Sequence, residues 1–274
     1  MAAASDEAVV VGLGSERNLP VVGLAAREAA THGRPLFLVH AFNWTTALEA
    51  PSIAGPRADA EELISRATTI AHEIEPALPV SGEIVEGAPV ATLVRHSESA
   101  FLLAVGDGGM ADCADCVPVD APAVQLAARA GCPVLVARRQ PPPQGPVLVG
   151  VDGSVSSQVA LDWAFECAAR REARLLAVRV VEPGDGAVEP DPLVAMVARS
   201  ARRFPSVATE CHAIRGDPGT VLVDQSRSAQ VALVAARGDE PWRGMLGAVS
   251  QALLYHSPAP VIVVRGLTAL PGRA

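Results

Sequence analysis

Lysine is absent from this chain, and all 22 of its basic residues are arginines. This absence excludes a lysine-containing phosphate loop and Schiff-base catalysis. Aromatic residues make up only 3% of the 274 residues, so the core has to be built from valine, leucine and alanine. Apolar runs are also short, because none reaches the roughly 18 residues that span a bilayer. The first seven residues lack the basic start and apolar stretch of a signal peptide.

Charge and cysteine content narrow the class of protein further. The formal net charge is −8, and arginines occur at most as pairs with a neighbour, so a surface for nucleic acid or anionic membrane is not expected. Half of the residues are apolar, which indicates a globular chain. The five cysteines are odd in number and form no disulfide-like framework. We therefore expect a cytoplasmic location.

Short apolar runs recur at regular distances and alternate with alanine-rich segments of helical spacing. Runs that are apolar throughout are typical of parallel strands covered by helices on both faces. The predicted strands are Ala8–Leu13, Pro35–Ala41, Val80–Val85, Phe101–Val105, Pro133–Ala137, Val147–Val151, Arg174–Val181, Val207–Ile214, Val231–Ala235 and Pro260–Val264. The order is β-α-β-α-β-α-β-α-β, twice, which predicts two tandem, doubly wound α/β domains with five parallel strands each.

The two halves repeat each other along their whole length. The phrase Val147–Ser154, VLVGVDGS, matches VVVGLGS at Val9–Ser15, and the closing runs match as well. Between the halves lies QPPPQGP at 140–146, in which four of seven residues lack an N–H. We therefore predict a first domain over residues 1–139, a proline-rich linker over 140–146, and a second domain over 147–274. The stretch Asn43–Pro56 is expected to be a surface loop.

The end of the second half's first strand is the first candidate site. Ligands of doubly wound sheets bind beyond the carboxyl ends of the strands. Val151, Asp152, Gly153 and Ser154 lie at such an end, where Asp152 could accept a ribose hydroxyl or hold a hydrated metal ion. The competing interpretation is that Asp152 or Ser154 only caps the next helix.

A glycine-containing loop after the second half's fourth strand is the second candidate. Arg237 and Gly238 follow the strand, and Gly247 opens a helix with Ala248, Val249 and Ser250. Free N–H groups at a helix N-terminus favour a phosphate. Arg237 and Arg243 add nearby positive charge.

Together these motifs resemble the universal stress protein family over essentially the full chain, as two tandem domains. The resemblance rests on Asp152-Gly-Ser154, Arg215-Gly-Asp-Pro218, Gly238, Gly247, Val249–Ala252 and Pro260–Val264. It implies strand order 3-2-1-4-5 and binding of ATP, with the question of an accompanying Mg²⁺ left open. It also implies that Asp152 contacts the ribose–phosphate or metal region, that Val180 contacts adenine through its backbone, and that the glycine loop and the following serine contact the phosphates. Gly216 is a candidate site residue because it lies in the Arg215–Pro218 motif.

The chain departs from the family pattern in both halves. In the second half the first loop glycine is Ala235, the spacing from Gly238 to Gly247 is one residue short, and Ala248 replaces a serine or threonine. In the first half Gly14 replaces the acid, and Pro122 stands near where the closing Gly-Ser is missing. The first half is therefore expected to be degenerate, and the second to retain part of an ATP site.

Cys113 and Cys116 form a single CxxC, which as a zinc site needs two more ligands, such as Cys132 and His96. Incidental thiols in a surface loop are the competing interpretation. The six histidines fall in no Ser-His-Asp or HExxH context, and the chain has no Gly-x-Ser-x-Gly elbow. We therefore expect that the protein is not an enzyme.

The apolar closing strands, Pro133–Ala137 and Pro260–Val264, are expected at sheet edges in this topology, and exposed apolar edges invite pairing. We predict that they pair antiparallel, so that the monomer is an internal pseudo-dimer, and a homodimer of two chains remains open. The predicted function is that of a stress-response protein that binds adenine nucleotide in its second half with little or no turnover. The alternative is a member that binds no nucleotide and serves as a dimerisation or docking module for an unidentified protein partner.

Overall fold

The structure is a computed structural model of the full chain, and it describes residues 7–42, 54–108, 121–138, 144–181, 191–237 and 244–265. These residues form ten β-strands and eight α-helices. By their contacts they divide into two compact units. The first unit comprises Met1–Gly108 and Ala130–Arg139, and the second comprises Gly109–Arg129 and Gln140–Ala274.

The first unit is a five-stranded parallel sheet with three helices. Its strands are β1 (Val9–Gly12), β2 (Leu36–Phe42), β3 (Val80–Glu86), β4 (Leu102–Gly106) and β5 (Val134–Ala137). The helices are α1 (Leu19–His32), α2 (Ala54–Ile74) and α3 (Pro89–Ser97). The strand order is β3-β2-β1-β4-β5, and the pairs within this unit are parallel.

The second unit repeats this sheet and includes a fourth helix from the first half of the sequence. Its strands are β6 (Val147–Gly150), β7 (Leu175–Val181), β8 (Thr209–Arg215), β9 (Val231–Ala235) and β10 (Val261–Val264). Its helices are α4 (Pro122–Arg129), α5 (Val155–Arg170), α6 (Asp191–Ala201), α7 (Pro218–Ser226) and α8 (Ala248–His256). The strand order β10-β9-β6-β7-β8 is 5-4-1-2-3 in this half's own count, again with parallel pairs.

All ten predicted strands are present, each within about two residues of its expected bounds. The inner strands of each unit are buried along nearly their whole length, as their apolar runs indicate, whereas β3 and β8, each at one edge of its own unit's sheet, are only partly buried. The expected loop Asn43–Pro56 is partly wrong, because residues 54–56 belong to the start of α2. Residues 43–53 of that prediction lie outside the described residues.

A glycine at the end of the first strand has the same packing role in both units. A Cβ on Gly12 would lie 2.6 Å from Leu93 Cδ1, and a Cβ on Gly150 would lie 2.7 Å from Leu222 Cδ1. Each leucine comes from the helix after the third strand, α3 or α7, and packs against the strand backbone. The shared Val-Gly end of β1 and β6 is therefore a packing feature of the repeat.

Within the described part of the chain, no helix combines the length and the apolarity needed to cross a membrane.

Candidate nucleotide site

A cleft of about 290 Å³ opens at the carboxyl ends of β6, β7 and β9 in the second unit. Its volume is near the lower end of the roughly 300–1,000 Å³ that small-molecule sites enclose. Eight of the twelve predicted site residues line it: Val151, Asp152, Val180, Arg237, Gly247, Ala248, Val249 and Ser250. The cleft therefore lies where a doubly wound sheet binds ligands.

The turn after β6 combines a capping serine with an aspartate at the cleft. Ser154 is the N-cap of α5, and its Oγ accepts a hydrogen bond from the N–H of Ser157 at 3.1 Å. Asp152 Oδ1 accepts a hydrogen bond from the N–H of Ser154 at 2.9 Å. The capping interpretation is thus correct for Ser154, while Asp152 stays exposed at the wall of the cleft.

The charge of Asp152 is stabilised by this turn. Burial by itself raises the pKa of Asp152, but hydrogen bonds from Ser154, Ser157 and the main chain outweigh burial, so the pKa lies below its usual value. The carboxylate is therefore ionised at neutral pH. The ionised carboxylate adds to the free energy of unfolding above its unfolded-state pKa of about 3.9, and this contribution is lost as pH falls through the lower folded-state pKa.

Gly153 allows the chain to make this turn. Its φ is +91°, a left-handed conformation that favours glycine, and no heavy atom lies within 4 Å of the place that a Cβ would take. Gly153 and Ser154 therefore shape the turn without lining the cleft. Substitution of Gly153 would strain the backbone that presents Asp152.

Ser154→Ala is expected to destabilise the protein by about 1 kcal/mol, because the N–H of Ser157 loses its capping oxygen. Urea unfolding measures the change. Ser156→Ala in the same helical turn is the matched control, since Ser156 has no part in this cap and alanine favours a helix. An equal loss of stability in both variants would contradict the capping role.

The N-terminus of α8 forms the opposite wall. Gly247 is its N-cap and offers no side-chain oxygen to the first-turn N–H groups, whereas α5 and α7 are capped by Ser154 and Asp217. Gly247 has φ of −67°, and a Cβ there would meet nothing closer than Ala236 O at 3.7 Å. The glycine is therefore not required by the backbone conformation, and its place leaves space in front of uncapped N–H groups.

Ser250 attaches this wall to the sheet. Its Oγ is buried and donates to the carbonyl of Ala235 at 2.7 Å, while Gly247 N–H donates to Ala236 O at 2.8 Å. The hydroxyl proton of Ser250 is thus already used within the protein. Any contribution of Ser250 to a phosphate comes from its main-chain N–H.

Ala235 belongs to β9, and its φ is not positive. Its methyl group therefore adds bulk without strain at the position where the family pattern has glycine. Arg237 lies two residues further on at the cleft, and its Nη1 contacts Met245 Sδ at 3.7 Å. Gly238 and Arg243 lie outside the described residues.

The end of β7 presents main-chain groups to the cleft. The main-chain groups of odd-numbered residues in β7 face β8; for example, Leu175 N–H donates to Ala208 O. Those of even-numbered residues face β6; for example, Val178 O accepts a hydrogen bond from Val151 N–H at 2.9 Å. The N–H and C=O of Val180 therefore point to the side of β6, beyond its last residue, Gly150. That side is where the cleft opens.

Gly216 lies apart from the lining, in the turn between β8 and α7. Its φ is +153°, and a Cβ would lie 2.9 Å from Val221 Cγ2. The next residue, Asp217, caps α7 by accepting hydrogen bonds from Thr220 N–H at 2.8 Å and Thr220 Oγ1 at 2.7 Å, and these bonds lower its pKa. Gly216 and Asp217 therefore serve the structure of this turn: the glycine permits its backbone conformation, and the aspartate caps α7.

Sequence reasoning missed several lining residues, namely Gly150, Ser157, Val178, Leu222 and Val234. Pro218, which closes the Arg215–Pro218 motif, also lines the cleft. Gly150, Val178 and Val234 stand at or near the carboxyl ends of strands, so the rule that places ligands there could have found them. Leu222 comes from the middle of α7, and no local motif marks it.

The corresponding place in the first unit is filled. Asn18 Oδ1 accepts hydrogen bonds from Gly14 N–H at 3.1 Å and Ser15 N–H at 3.0 Å, and Asn18 Nδ2 lies 2.7 Å from where a Cβ of Gly106 would be. The nearly buried Arg138 and Asp107 stand 3.7 Å apart beside it, and burial lowers the pKa of Arg138. Only about 10 Å³ remains, roughly what one water molecule needs.

The candidate zinc ligands are only partly described. Cys113 and Cys116 lie outside the described residues. Cys132 is buried, and burial raises its pKa to about 12, while His96 Nε2 pairs with Glu83 Oε1 at 2.7 Å. Among the residues that the structure describes, no group of three potential metal ligands comes together.

The fold and the cleft define a tandem doubly wound α/β protein with a ligand-sized site in its second half, and comparison with known proteins gives the family. The profile of the Universal stress protein family matches residues 7–138 and again 145–265. Universal stress protein Rv2005c of Mycobacterium tuberculosis (strain ATCC 25618 / H37Rv) is 34% identical over 285 residues, covering 94% of this chain and 96% of that protein. The chain belongs to the universal stress protein family.

A solved structure of the family agrees with this fold over nearly its whole length. The crystal structure of a universal stress protein from Archaeoglobus fulgidus DSM 4304 aligns with TM-score 0.70 and 17% identity, over 93% of this chain and 96% of that chain. A universal stress protein solved in complex with cAMP aligns with 44% of this chain and 97% of its own length, at 27% identity and TM-score 0.36.

Proposed function

We propose that this chain binds an adenine nucleotide, with ATP as the leading ligand, in the cleft of its second half, and that it does so as a stress-response protein with little or no turnover. The observation that carries the proposal is the cleft itself, which joins an ionised carboxylate, an arginine and an uncapped helix N-terminus around about 290 Å³. The filled counterpart in the first unit supports a single site per chain.

The apolar side chains that line the cleft suit a purine base. Val151, Val178, Leu222 and Val234 are among them, and the main chain of Val180 offers one donor and one acceptor on the side of β6. Adenine carries an amine donor beside ring-nitrogen acceptors, so one residue's N–H and C=O can satisfy both.

The polar groups of the cleft suit a ribose and phosphates. The Asp152 carboxylate, with its lowered pKa, accepts ribose hydroxyls or holds a hydrated Mg²⁺. The first-turn N–H groups of Ala248, Val249 and Ser250 lie at the positive end of α8, and Arg237 adds a cation nearby.

Slow turnover follows from what the cleft offers to a phosphoryl group. No lysine exists anywhere in the chain to stabilise a leaving phosphate. Asp152, the cleft's carboxylate, is a weak general base because its pKa is lowered. We expect ATP to be held and not consumed.

Asp152→Asn is expected to weaken ATP binding at least about tenfold, because an amide accepts a ribose hydroxyl less strongly than a carboxylate does. Isothermal titration calorimetry of the full chain measures it. Asp217→Asn is the matched control, since Asp217 also accepts main-chain and hydroxyl hydrogen bonds in a turn but does not line the cleft. If wild-type protein gives no saturable signal with ATP, the proposal fails.

A second candidate is a family member that binds no nucleotide and serves as a dimerisation or docking module. Two observations favour it: Ala248 lacks the hydroxyl of the family pattern, and the hydroxyl of Ser250 already donates to Ala235 O. Under this alternative, ATP adds no thermal stability, and the purified protein carries no nucleotide. The pairing of the two halves, a cytoplasmic location and a homodimer of two chains remain predictions.

A further inference from the structure

The segment that leads into α8 is attached to the last turn of α4. The carbonyl of Ala128 accepts a hydrogen bond from Gly244 N–H at 2.9 Å and another from Arg265 Nη1. α4 ends at Arg129, so the carbonyl of Ala128 is one of the four that have no partner inside the helix. A cation beside a helix C-terminus is also favoured by the helix dipole.

Arg265 makes this contact from a buried position. It follows β10 directly and is only 5% exposed. The preceding residue, Val264, accepts a hydrogen bond from Ala236 N–H at 2.8 Å, so Arg265 emerges beside the turn that also accepts Gly247 N–H. It does not line the cleft.

The repeat gives Arg265 a counterpart in the first unit. Register aligns Gly106 with Ala137 and Ala235 with Val264, so Arg138 corresponds to Arg265 and Asp107 to Ala236. In the first unit the arginine faces a carboxylate, whereas in the second unit the carboxylate is replaced by alanine and the arginine bonds to the α4 carbonyl.

Gly244 supplies the other half of the attachment. Its φ is +105°, in the left-handed region, although no heavy atom lies within 4 Å of its Cβ position. The backbone conformation alone therefore requires glycine, and this conformation accompanies the hydrogen bond from Gly244 N–H to Ala128. Three residues later Gly247 opens α8, so the segment is held at Ala128 on one side and at Ala236 on the other.

We propose that Arg265 is a positioning residue of the nucleotide cleft, which acts through the Ala128 carbonyl and Gly244 to hold the segment Gly244–Gly247, and with it the N–H groups of α8 that face the phosphates. The inference rests on the proposed function. It adds that α4, encoded in the first half of the sequence, supports phosphate binding in the second. Because the attachment serves only the phosphate end, its loss affects ATP and leaves the binding of adenosine unchanged.

The test compares ATP and adenosine on the full-length chain by calorimetry. Arg265→Met keeps length and apolar bulk but removes the donors, and it is expected to weaken ATP about threefold to thirtyfold while adenosine affinity is retained. Arg265→Lys, which keeps one cationic donor, is expected to restore most of the ATP affinity. A general loss of fold lowers binding of both ligands and cannot produce this difference.

Gly244→Ala provides a second route if Arg265→Met does not fold, because Gly244 is exposed and its substitution strains only the attached segment. Its matched control is Gly33→Ala, at the C-cap of α1, where φ is +63° and the surroundings are equally open. The same ATP-selective loss in Gly244→Ala, absent in Gly33→Ala, supports the inference. If the Arg265 and Gly244 variants bind ATP as tightly as the wild type does, this inference is overturned while the proposed function stands. If the wild type binds no ATP, both the inference and the proposed function are overturned.

Discussion

Gly247→Leu is expected to abolish detectable ATP binding, with at least about a hundredfold rise in the dissociation constant. The substitution places a branched side chain in the space in front of the α8 N-terminus, where the phosphates are proposed to lie. The first added carbon fits, because its nearest neighbour would be Ala236 O at 3.7 Å, and the backbone φ of −67° suits any residue. The loss should therefore come from occupation of the cleft. Calorimetry with ATP measures it, alongside urea unfolding to show that the fold remains.

Gly247→Ala separates the volume of the side chain from the loss of glycine itself. It removes the same glycine but adds only one carbon, so ATP binding should fall much less than in the leucine variant. Both variants should lose about 1 kcal/mol of stability, since alanine and leucine are poorer N-caps than glycine. ATP binding by the leucine variant at wild-type strength would show that the phosphates lie elsewhere.

The strands could be predicted from sequence because burial on both faces leaves a continuous apolar run. Val147–Gly150 and Val231–Ala235 are of this kind, and they appear within one residue of their expected bounds. The strand order came from the family resemblance, whereas the alternation of strands and helices indicated only right-handed crossovers and a doubly wound sheet. Half-buried β8 was still found, because its turn is marked by Gly216 and Asp217.

The state of the two candidate sites could not be predicted in full, because it depends on side chains far apart in sequence. Gly14 indicated that the first site had lost an acid. Nothing local indicated that Asn18 turns back onto Gly14 and lies against Gly106, or that Arg138 pairs there with Asp107. These contacts join separate segments, and only the folded chain brings them together.

Capping explains the other difference between expectation and structure. Asp152 and Ser154 were equally plausible caps from their types and positions, since both side chains carry oxygen acceptors near a helix start. In the structure Ser154 caps α5, and Asp152 lines the cleft. A single sequence cannot distinguish the two, because the choice depends on backbone angles at Gly153.

The end of the predicted linker is held firmly by the second unit. Gly145 O accepts a hydrogen bond from Gln230 Nε2 at 2.7 Å, and Pro146 O accepts one from Gln230 N–H at 3.0 Å. The chain therefore enters β6 from a fixed position. A Cβ on Gly145 would lie 1.7 Å from the backbone oxygen of Ser228, a distance that no side-chain movement can relieve.

Gly145→Ala is accordingly expected to destabilise the protein by about 3 kcal/mol, since overpacking against backbone commonly costs about 1–3 kcal/mol and the shift also weakens hydrogen bonds to Gln230. Urea unfolding followed by circular dichroism measures the change as a lower midpoint at unchanged slope. Gly247→Ala is the matched control, because the same methyl group there meets nothing closer than 3.7 Å. Equal midpoints for Gly145→Ala and wild type would mean that the chain before β6 moves away from Ser228 at no cost, and that the linker is not anchored there.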